Sequence, residues 1–216
     1  MKKSLIIYGA GGLGREVLTL LRTLPEWEPI GFIDDKLPAD TYIKGLKVLG
    51  NISALNSYKH PLYIVLAMGD SITKRKVAEQ LKNYSVEFPI LIHPSVILQE
   101  SDTITLGEGS ILCAGVVLTT DIKIGKHVLV NLNSTVGHDC NIGDYTSIMC
   151  GVNIAGEVHV GQSVLIGSGA NVLNKVSIGD NSQIGMGSVV LKDVPSSTTV
   201  AGVPAKEIKK DESFFP

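Results

Sequence analysis

A period of six residues governs the second half of this 216-residue chain. From Leu106 to Val190 every sixth residue is Leu, Ile or Val, without exception over fifteen positions. Four residues after each of these stands a small residue or Val, with Ile122 as the one exception. Aliphatic-Gly pairs, the first of which is Leu106-Gly107, recur every 18 residues, so three six-residue units make one larger repeat.

A strict period of six is compatible with few backbone arrangements. An α-helix has about 3.6 residues per turn and would smear the apolar positions around its cylinder. An array of hairpins would need regular Asn-Gly or Asp-Gly turns, which the sequence lacks. A triangular solenoid fits, because each side is a short strand, each corner a turn, and the aliphatic residue fills the prism. The sequence predicts five coils over residues 106–195, in which residues 18 apart stack about 4.8 Å from each other.

The first 92 residues have no such period and predict a small α/β unit. An apolar strand is followed by a glycine-rich loop and a helix, which is the order of a phosphate-binding unit. The predicted strands are 5–8, 29–33, 62–68 and 88–92, and the predicted helices are 15–24 and 71–83. The sequence therefore predicts two domains, a Rossmann-like domain over residues 1–92 and a solenoid with a C-terminal extension over residues 93–216.

The glycine-rich loop has the spacing of a phosphate-binding fingerprint. Gly9-x-Gly11-x-x-Gly14 opens the first predicted helix, and Asp34 follows Gly14 by twenty residues. Glycines let the backbone approach a diphosphate, whose charge the helix N-terminus favours. A domain of this size holds one nucleotide half-site, whereas a dinucleotide needs two, so we expect a nucleoside diphosphate carrying a smaller group rather than NAD. A plain tight turn is the structural alternative.

The predicted contacts to this nucleotide lie in the loop and at two strand ends. Ligands of such domains bind outside the carboxyl ends of the strands, although carboxylates there are also often simply solvated. The residues are Gly11, Gly12, Leu13 and Gly14 in the loop, Asp34 and Asp35 after the second strand, and Gly69 and Asp70 after the third.

A histidine and an aspartate share one predicted corner of the solenoid. If Val136 and Cys140 point inward, His138 and Asp139 lie on the turn between them. Eighteen residues later stands Gly156, so the histidine lies beside a slot with a bare backbone N–H. This arrangement suits a general base next to a donor that polarises a carbonyl, with the aspartate orienting the imidazole ring. The alternative is a solvent-exposed histidine with an adjacent carboxylate.

The repeat resembles that of the hexapeptide-repeat acyltransferases, which form left-handed parallel β-helices and act as trimers. The segment Gly137-His138-Asp139-Cys140, together with the N-terminal glycine loop, resembles the PglD-like nucleotide-amino-sugar N-acetyltransferases and the NeuD-like sialic acid O-acetyltransferases. The similarity extends over residues 4–206. It implies a Rossmann-like domain followed by a left-handed parallel β-helix.

The resemblance also implies roles for individual residues. His138 would be the catalytic base, supported by Asp139, and the Gly156 amide would contact the thioester of acetyl-CoA. Asn131 would line the acceptor site, and at position 147 this chain has Ser where PglD-like members can carry a second active-site histidine. The implied coenzyme contacts are the amides of Ser168 and Met186 and, in the closing Gly-Val-Pro-Ala-Lys segment, Val203, Pro204 and Lys206.

Three functions remain open from the sequence. We favour transfer of acetyl from acetyl-CoA to the amino group of a nucleotide-linked amino sugar, in a homotrimer with active sites between subunits. The alternative in the same reaction class is O-acetylation of sialic acid or another sugar. The third is a non-enzymatic or NAD(P)-binding solenoid protein.

Composition argues against several partners. A net charge of −2 provides no basic field for nucleic acid or anionic lipid, and no apolar stretch approaches the roughly 18 residues of a membrane span. We expect a cytoplasmic protein with reduced thiols, since three cysteines show no paired spacing. No metal is expected, because the histidine pair five residues apart that marks zinc-dependent β-helix hydratases is missing. The other histidines, predicted to be structural or on the surface, are His60, His93, His127 and His159.

Overall fold

The computed structural model describes residues 2–58 and 62–208, which form an α/β unit followed by a solenoid. None of the helices in this part of the chain is both long enough and apolar enough to cross a membrane. His60 lies outside the described residues.

The N-terminal unit is a sheet in which five of the six strands are parallel. Its elements are β1 (Lys3–Tyr8), α1 (Gly12–Leu21), β2 (Trp27–Ile33), β3 (Tyr42–Ile43), β4 (Leu46–Gly50), a 3₁₀ helix (Ile52–Ser57), β5 (Leu62–Leu66), α2 (Ser71–Leu81) and β6 (Val86–Glu87). The strand order is β3-β4-β2-β1-β5-β6, and only the β3–β4 pair is antiparallel. Because β2 and β5 flank β1 on opposite sides, the order reverses there. The loops after β1 and β5 meet at the switch point where such sheets bind ligands.

The solenoid has three sides, each a stack of parallel two-residue strands. The first side contains Leu91–Ile92, Ile111–Leu112, Leu129–Val130, Ser147–Ile148, Leu165–Ile166, Gln183–Ile184 and the three-residue strand Thr199–Ala201, which pairs antiparallel with Lys206–Glu207. The second side contains Ile97–Leu98, Val117–Leu118, Thr135–Val136, Asn153–Ile154, Asn171–Val172 and Val189–Val190. The third side contains Thr105–Leu106, Lys123–Ile124, Asn141–Ile142, His159–Val160 and Ser177–Ile178. A short 3₁₀ helix, Ser101–Thr103, precedes the third side.

The inward register predicted from the period is confirmed. From Leu106 to Val190 the second residue of each strand is the Leu, Ile or Val of the repeat, and these strands pair with those 18 residues away. These side chains form one continuous core along the prism. We call the turns between the first and second sides the first corner, between the second and third sides the second corner, and between the third and first sides the third corner.

Each corner requires a backbone conformation that L-residues rarely adopt. Every sixth residue from Gly109 to Gly187 is left-handed, with φ between 52° and 75°. Only five of these fourteen positions are glycine, and the others include Asn133, Asp139 and Asn181. Asn and Asp tolerate this region better than most residues, and stacking of coil on coil holds the remaining ones there.

Two boundary predictions were wrong. The strand predicted over 88–92 does not close the N-terminal sheet, because β6 does so at Val86–Glu87 and Leu91–Ile92 pairs with Ile111–Leu112 instead. The coils therefore begin one coil before residue 106, where the five predicted coils start. The aliphatic spacing before residue 106 is irregular, so the period did not predict this coil. The division of the chain at residue 92 stays a prediction.

The two units share a core. The outward residues Leu91, Ile111 and Leu129 of the first side are buried in the same cluster as Val17 and Leu21 of α1. Outward strand residues normally face solvent, so three stacked aliphatic residues mark the surface on which the N-terminal unit packs.

We expect Ile148→Ala to lower the free energy of unfolding by about 2–5 kcal/mol, because Ile148 is fully buried in the prism and truncation leaves a cavity. Urea unfolding followed by circular dichroism measures this. The matched control is Lys123→Ala on an exposed strand position, with a change within about 0.5 kcal/mol. Equal effects of the two substitutions would contradict the inward register.

Candidate active site

The second corner brings His138 and Asp139 together as predicted from the spacing. Nδ1 of His138 lies 2.8 Å from Oδ2 of Asp139, and the two side chains are 56% and 58% exposed. Asp139 is the left-handed residue of this corner, with φ 58°. Because Nδ1 faces the carboxylate, Nε2 is the ring nitrogen free to exchange a proton with a ligand.

Two glycines leave room beside this histidine. A Cβ built on the buried Gly156 would lie 2.8 Å from Cδ2 of His138 and closer still to Nε2. A Cβ on Gly137 would lie 2.7 Å from the Gly156 nitrogen. Within the described residues the Gly156 N–H has no hydrogen-bond acceptor. Nε2 and a bare N–H therefore lie close together, an arrangement in which one can take a proton while the other stabilises an oxyanion.

The sequence predicted Gly156 from its 18-residue offset but missed Gly137. Gly137 lies one residue before the histidine and keeps the approach to the Gly156 amide open. The sequence contained a signal for Gly137, because its side-chain position points at Gly156, 19 residues later, in the next coil.

The first corner presents two further backbone donors. Ser168 and Met186 stack on each other, because the Gly187 N–H donates to the Ser168 carbonyl at 2.8 Å. In the part of the chain that the structure describes, neither the Ser168 nor the Met186 N–H has an acceptor. The Met186 side chain is 77% exposed. An extended ligand with amide carbonyls can therefore run along this corner.

The closing segment extends the first corner. The Gly202 N–H donates to Ser188 Oγ at 3.1 Å, and the Val189 N–H donates to the Gly202 carbonyl at 3.0 Å. This places Val203 and Pro204 on the turn just above Met186, with Val203 73% exposed. Lys206 follows in the antiparallel strand and is also exposed.

Within one chain the two corners are separated by the second side. Its outward face carries a polar ladder, in which Thr135 Oγ1 donates to Asn153 Oδ1 and Asn153 Nδ2 donates to Asn171 Oδ1, each at 3.0 Å. A shallow cavity of about 360 Å³ lies on this face, bordered by Leu173 and Leu191. The histidine corner and the donor pair thus stand at opposite edges of the second side.

The glycine loop is open toward solvent at the switch point of the N-terminal sheet. Gly9 has φ 103°, and a Cβ on it would lie 2.7 Å from the Ala67 carbonyl oxygen after β5. A Cβ on Gly11 or Gly12 would meet no heavy atom of the described chain within 4 Å. The start of α1 therefore offers backbone N–H groups at Gly12 and Leu13 to an anion, whereas Gly14 is buried, with its Cβ position against the Gly9 carbonyl.

The Asp34 carboxylate holds this loop. Its Oδ2 accepts from the Ala10 N–H at 2.9 Å, and its Oδ1 accepts from the N–H groups of Lys36 and Leu37 at 2.9 and 3.1 Å. Burial alone would raise the pKa of Asp34, but these backbone donors together lower it below its ordinary value. Asp34 thus connects the end of β2 to the glycine loop.

Asp35 is exposed and accepts a hydrogen bond from the Tyr8 hydroxyl at 2.8 Å. Burial, the hydrogen bond to Asp35 and the nearby carboxylates raise the pKa of Tyr8, which therefore stays protonated as a donor. The carboxylate is oriented at the edge of the switch point, with its other oxygen available to a ligand.

The loop after β5 reaches the solenoid. A Cβ on Gly69 would lie 2.8 Å from Cε of Met149, next to the first corner. Asp70 caps α2, since its Oδ1 accepts from the Thr73 N–H at 2.7 Å. The structure therefore brings the switch-point edge of the N-terminal sheet against the first corner, not the second.

Asn131 also lies at the first corner and is 5% exposed. Its Oδ1 accepts from the Leu132 N–H at 2.8 Å. It lines a cavity of about 250 Å³ between α1 and the solenoid, together with Glu16 and His93. Within a single chain Asn131 faces the N-terminal unit and lies away from His138.

The remaining polar candidates have structural surroundings. Ser147 is fully buried, and its Oγ accepts from Lys74 Nζ at 2.8 Å, so it lies between the two units. His127 occupies an outward corner position as predicted but is 4% exposed, because its ring packs between Phe88 and Tyr145. Across residues 2–58 and 62–208 no three His, Cys, Asp or Glu side chains cluster as metal ligands.

Family models match both units. The PglD N-terminal domain model matches residues 4–81, the hexapeptide repeat of succinyl-transferase matches residues 96–120, and the bacterial transferase hexapeptide model matches residues 157–192. A curated relative, the GDP-perosamine N-acetyltransferase of Escherichia coli O157:H7, is 33% identical over 139 residues. The match spans 62% of this chain and 62% of that relative's length.

Solved structures resemble nearly the whole chain. PerB from Caulobacter crescentus, in complex with CoA and GDP-perosamine, is 30% identical with a TM-score of 0.87, over 95% of this chain and 97% of its own. The acetyltransferase domain of PglB from Neisseria gonorrhoeae FA1090 is 30% identical with a TM-score of 0.88, over 96% of this chain and 100% of its own. The predicted fold, a Rossmann-like domain followed by a left-handed parallel β-helix, is confirmed.

We expect Asp34→Asn to lower the thermal unfolding midpoint at neutral pH, because it removes the charge that three backbone N–H groups stabilise. The Asp34 pKa is lower in the folded than in the unfolded chain, so its stabilisation is complete above the unfolded value and is lost as the pH falls through the folded one. The difference between wild type and variant is expected to be constant above about pH 5 and to shrink below about pH 4.

Scanning calorimetry across this range measures the difference. Glu28→Gln, at an exposed position of β2, is the matched control and is expected to change the midpoint little at any pH. A difference for Asp34→Asn that stays undiminished in acid would contradict the role of the charge.

Proposed function

Because the chain belongs to the PglD/NeuD-like family of hexapeptide-repeat sugar acetyltransferases, we propose that it transfers the acetyl group of acetyl-CoA to the amino group of a nucleotide-linked amino sugar. The observation that carries the proposal is the second corner. There His138 Nε2 lies close to the Gly156 N–H, which has no acceptor among the described residues, while Asp139 fixes the opposite ring nitrogen.

The proposed reaction uses these three groups in order. The amine nitrogen attacks the thioester carbonyl carbon while His138 Nε2 takes a proton from it. The Gly156 N–H donates to the oxyanion that forms, and Asp139 stabilises the imidazolium. The intermediate then collapses, the carbon–sulfur bond breaks, and the imidazolium returns the proton to the thiolate of CoA. The products are an N-acetylated sugar and CoA.

In this proposal acetyl-CoA lies along the first corner. The free N–H groups of Ser168 and Met186 would bind the pantetheine amides, and Val203, Pro204 and Lys206 would contact the far end of the coenzyme. Support comes from PerB, whose structure contains CoA, and from the PglB domain, which has also been solved with acetyl coenzyme A.

The separation of the two corners leads us to propose a homotrimer. His138 and the Ser168–Met186 pair stand at opposite ends of the second side, so one chain alone does not bring the base to the thioester. Apposing the second corner of one subunit to the first corner of its neighbour would do so. It would also cover the exposed side chains of Leu173 and Leu191.

The nucleotide is proposed to bind at the switch point of the N-terminal sheet. Gly11, Gly12, Leu13 and Gly14 would hold the diphosphate. Asp34 would act by holding the loop, and Asp35, Gly69 and Asp70 would border the nucleoside. Asn131 would contact the acceptor sugar at the first corner. Acetylation of a free sialic acid would leave this edge unused, which favours a nucleotide-linked acceptor.

We expect His138→Ala to lower kcat with GDP-perosamine, the ligand bound by PerB, by about 10²–10⁴, because a general base contributes rate acceleration of this size. The Kd for acetyl-CoA is expected to stay within about twofold, since the coenzyme is held by the first corner. Release of free CoA thiol and isothermal titration calorimetry measure the two quantities.

His159→Ala is the matched control. His159 is an exposed histidine on the third side of the solenoid, and its removal is expected to leave both quantities unchanged. A His138→Ala enzyme with near wild-type turnover would show that another group is the base.

A further inference from the structure

The face of α2 that packs on the solenoid is polar. Ser71, Lys74 and Arg75 have the i, i+3, i+4 spacing that puts side chains on one helix face. Ser71 Oγ donates to the Val164 carbonyl at 2.8 Å, and Arg75 Nη1 donates to Asn181 Oδ1 at 3.2 Å. The helix therefore meets the solenoid through directed hydrogen bonds.

Lys74 lies at the centre of this contact and is 2% exposed. Its Nζ donates to Ser147 Oγ at 2.8 Å and to the Thr146 carbonyl at 3.2 Å. Burial lowers the pKa of Lys74 to about 7, against the opposing effect of the Asp70 carboxylate. Burying an amine costs free energy unless its hydrogen bonds are satisfied. An apolar residue of the same length would pack at no such cost, so stability alone does not explain a lysine here.

The three α2 contacts fix the helix across several coils. Lys74 reaches the coil of Thr146 and Ser147, Ser71 reaches Val164 one coil further, and Arg75 reaches Asn181 in the next coil. Apolar faces can slide on each other, whereas hydrogen bonds to successive coils define one position along the stack.

The proposed nucleotide-binding edge is directly connected to this helix. Asp70 caps α2, and Gly69 immediately before it packs on Met149. The glycine loop contacts the same edge, since Gly9 lies against the Ala67 carbonyl after β5. A displacement of α2 along the solenoid would therefore carry the switch point with it.

We propose that Lys74 is a positioning residue, whose buried hydrogen bond to Ser147 fixes the nucleotide-binding edge relative to the solenoid so that a nucleotide-linked amine reaches the acetyl group. This inference rests on the proposed function. The nucleotide is held by the N-terminal unit and the thioester by the solenoid, so only the contact between the units sets the distance from amine to carbonyl carbon. A misplacement of about 1 Å in such a distance can cost about 10²-fold in rate.

The test compares two acceptors in each enzyme: GDP-perosamine and free perosamine. A free sugar is not anchored in the N-terminal unit, so its acetylation does not depend on where that unit sits. The ratio of kcat/KM for the linked sugar to kcat/KM for the free sugar is the readout. Loss of folded enzyme lowers both values equally and cancels in this ratio.

We expect Lys74→Met to lower this ratio at least tenfold, with the KM for acetyl-CoA unchanged, because about 1.4 kcal/mol of alignment corresponds to one factor of ten. Ser147→Ala removes one of the two acceptors of Lys74 while the lysine stays in place, and a change in the same direction is expected. This second variant gives the answer if Lys74→Met does not fold. Lys76→Met, an exposed lysine on the same helix, is the matched control and is expected to keep the wild-type ratio.

The outcomes separate the two proposals. A wild-type enzyme that acetylates neither acceptor, and no UDP- or dTDP-linked amino sugar either, would contradict the proposed function, and this inference with it. A wild-type enzyme that prefers the linked sugar, with the same preference in Lys74→Met and Ser147→Ala, would overturn the role of Lys74 and leave the proposed function standing.

Discussion

Stacking at 18-residue intervals is the constraint on which the rest of this molecule depends. A two-residue strand gains little from its own hydrogen bonds and is ordered only because identical strands lie above and below it. That stacking holds residues such as His127 and Tyr145 in a left-handed conformation that isolated side chains disfavour. Because residues stacked in successive coils are 18 apart in the sequence, the same regularity identifies the neighbour of each side chain in the next coil from its residue number. The His138–Gly156 pair, 18 residues apart, follows directly from this spacing.

The candidate site residues of the solenoid lie on its corners. Corner backbone makes fewer repeat hydrogen bonds than the sides, so in the described part of the chain N–H groups such as those of Gly156, Ser168 and Met186 have no acceptor. The N-terminal unit adds an open sheet edge, where a diphosphate can approach backbone donors. Its docking on the first side combines apolar packing around Leu129 with the hydrogen bonds of α2, and the second part gives the interface a defined position.

The sequence predicted the inward register and the pairing of His138 with Asp139 and Gly156, because a strict period determines which residues are neighbours in three dimensions. It did not reach the coil before residue 106, where the aliphatic spacing loses its period. Nor did it predict that Asp34 binds the Ala10 N–H rather than standing free, since side-chain hydrogen bonds depend on distances that no motif encodes. The burial of Ser147 under Lys74 depends on how the two units dock, for which no local pattern exists. The assigned roles of the site residues stay predictions.

The central claim is that the N-terminal unit holds a nucleoside diphosphate while the solenoid holds acetyl-CoA. The most direct test is the thermal unfolding midpoint of the purified protein with acetyl-CoA, GDP, UDP, dTDP and NAD, each alone and the first in pairs with the others. A ligand at 100 times its Kd adds about 2.7 kcal/mol to the folded state, which shifts the midpoint measurably. Stabilisation by acetyl-CoA and by one nucleoside diphosphate, with a larger shift for the pair, is the predicted result. A response to NAD alone would contradict the account.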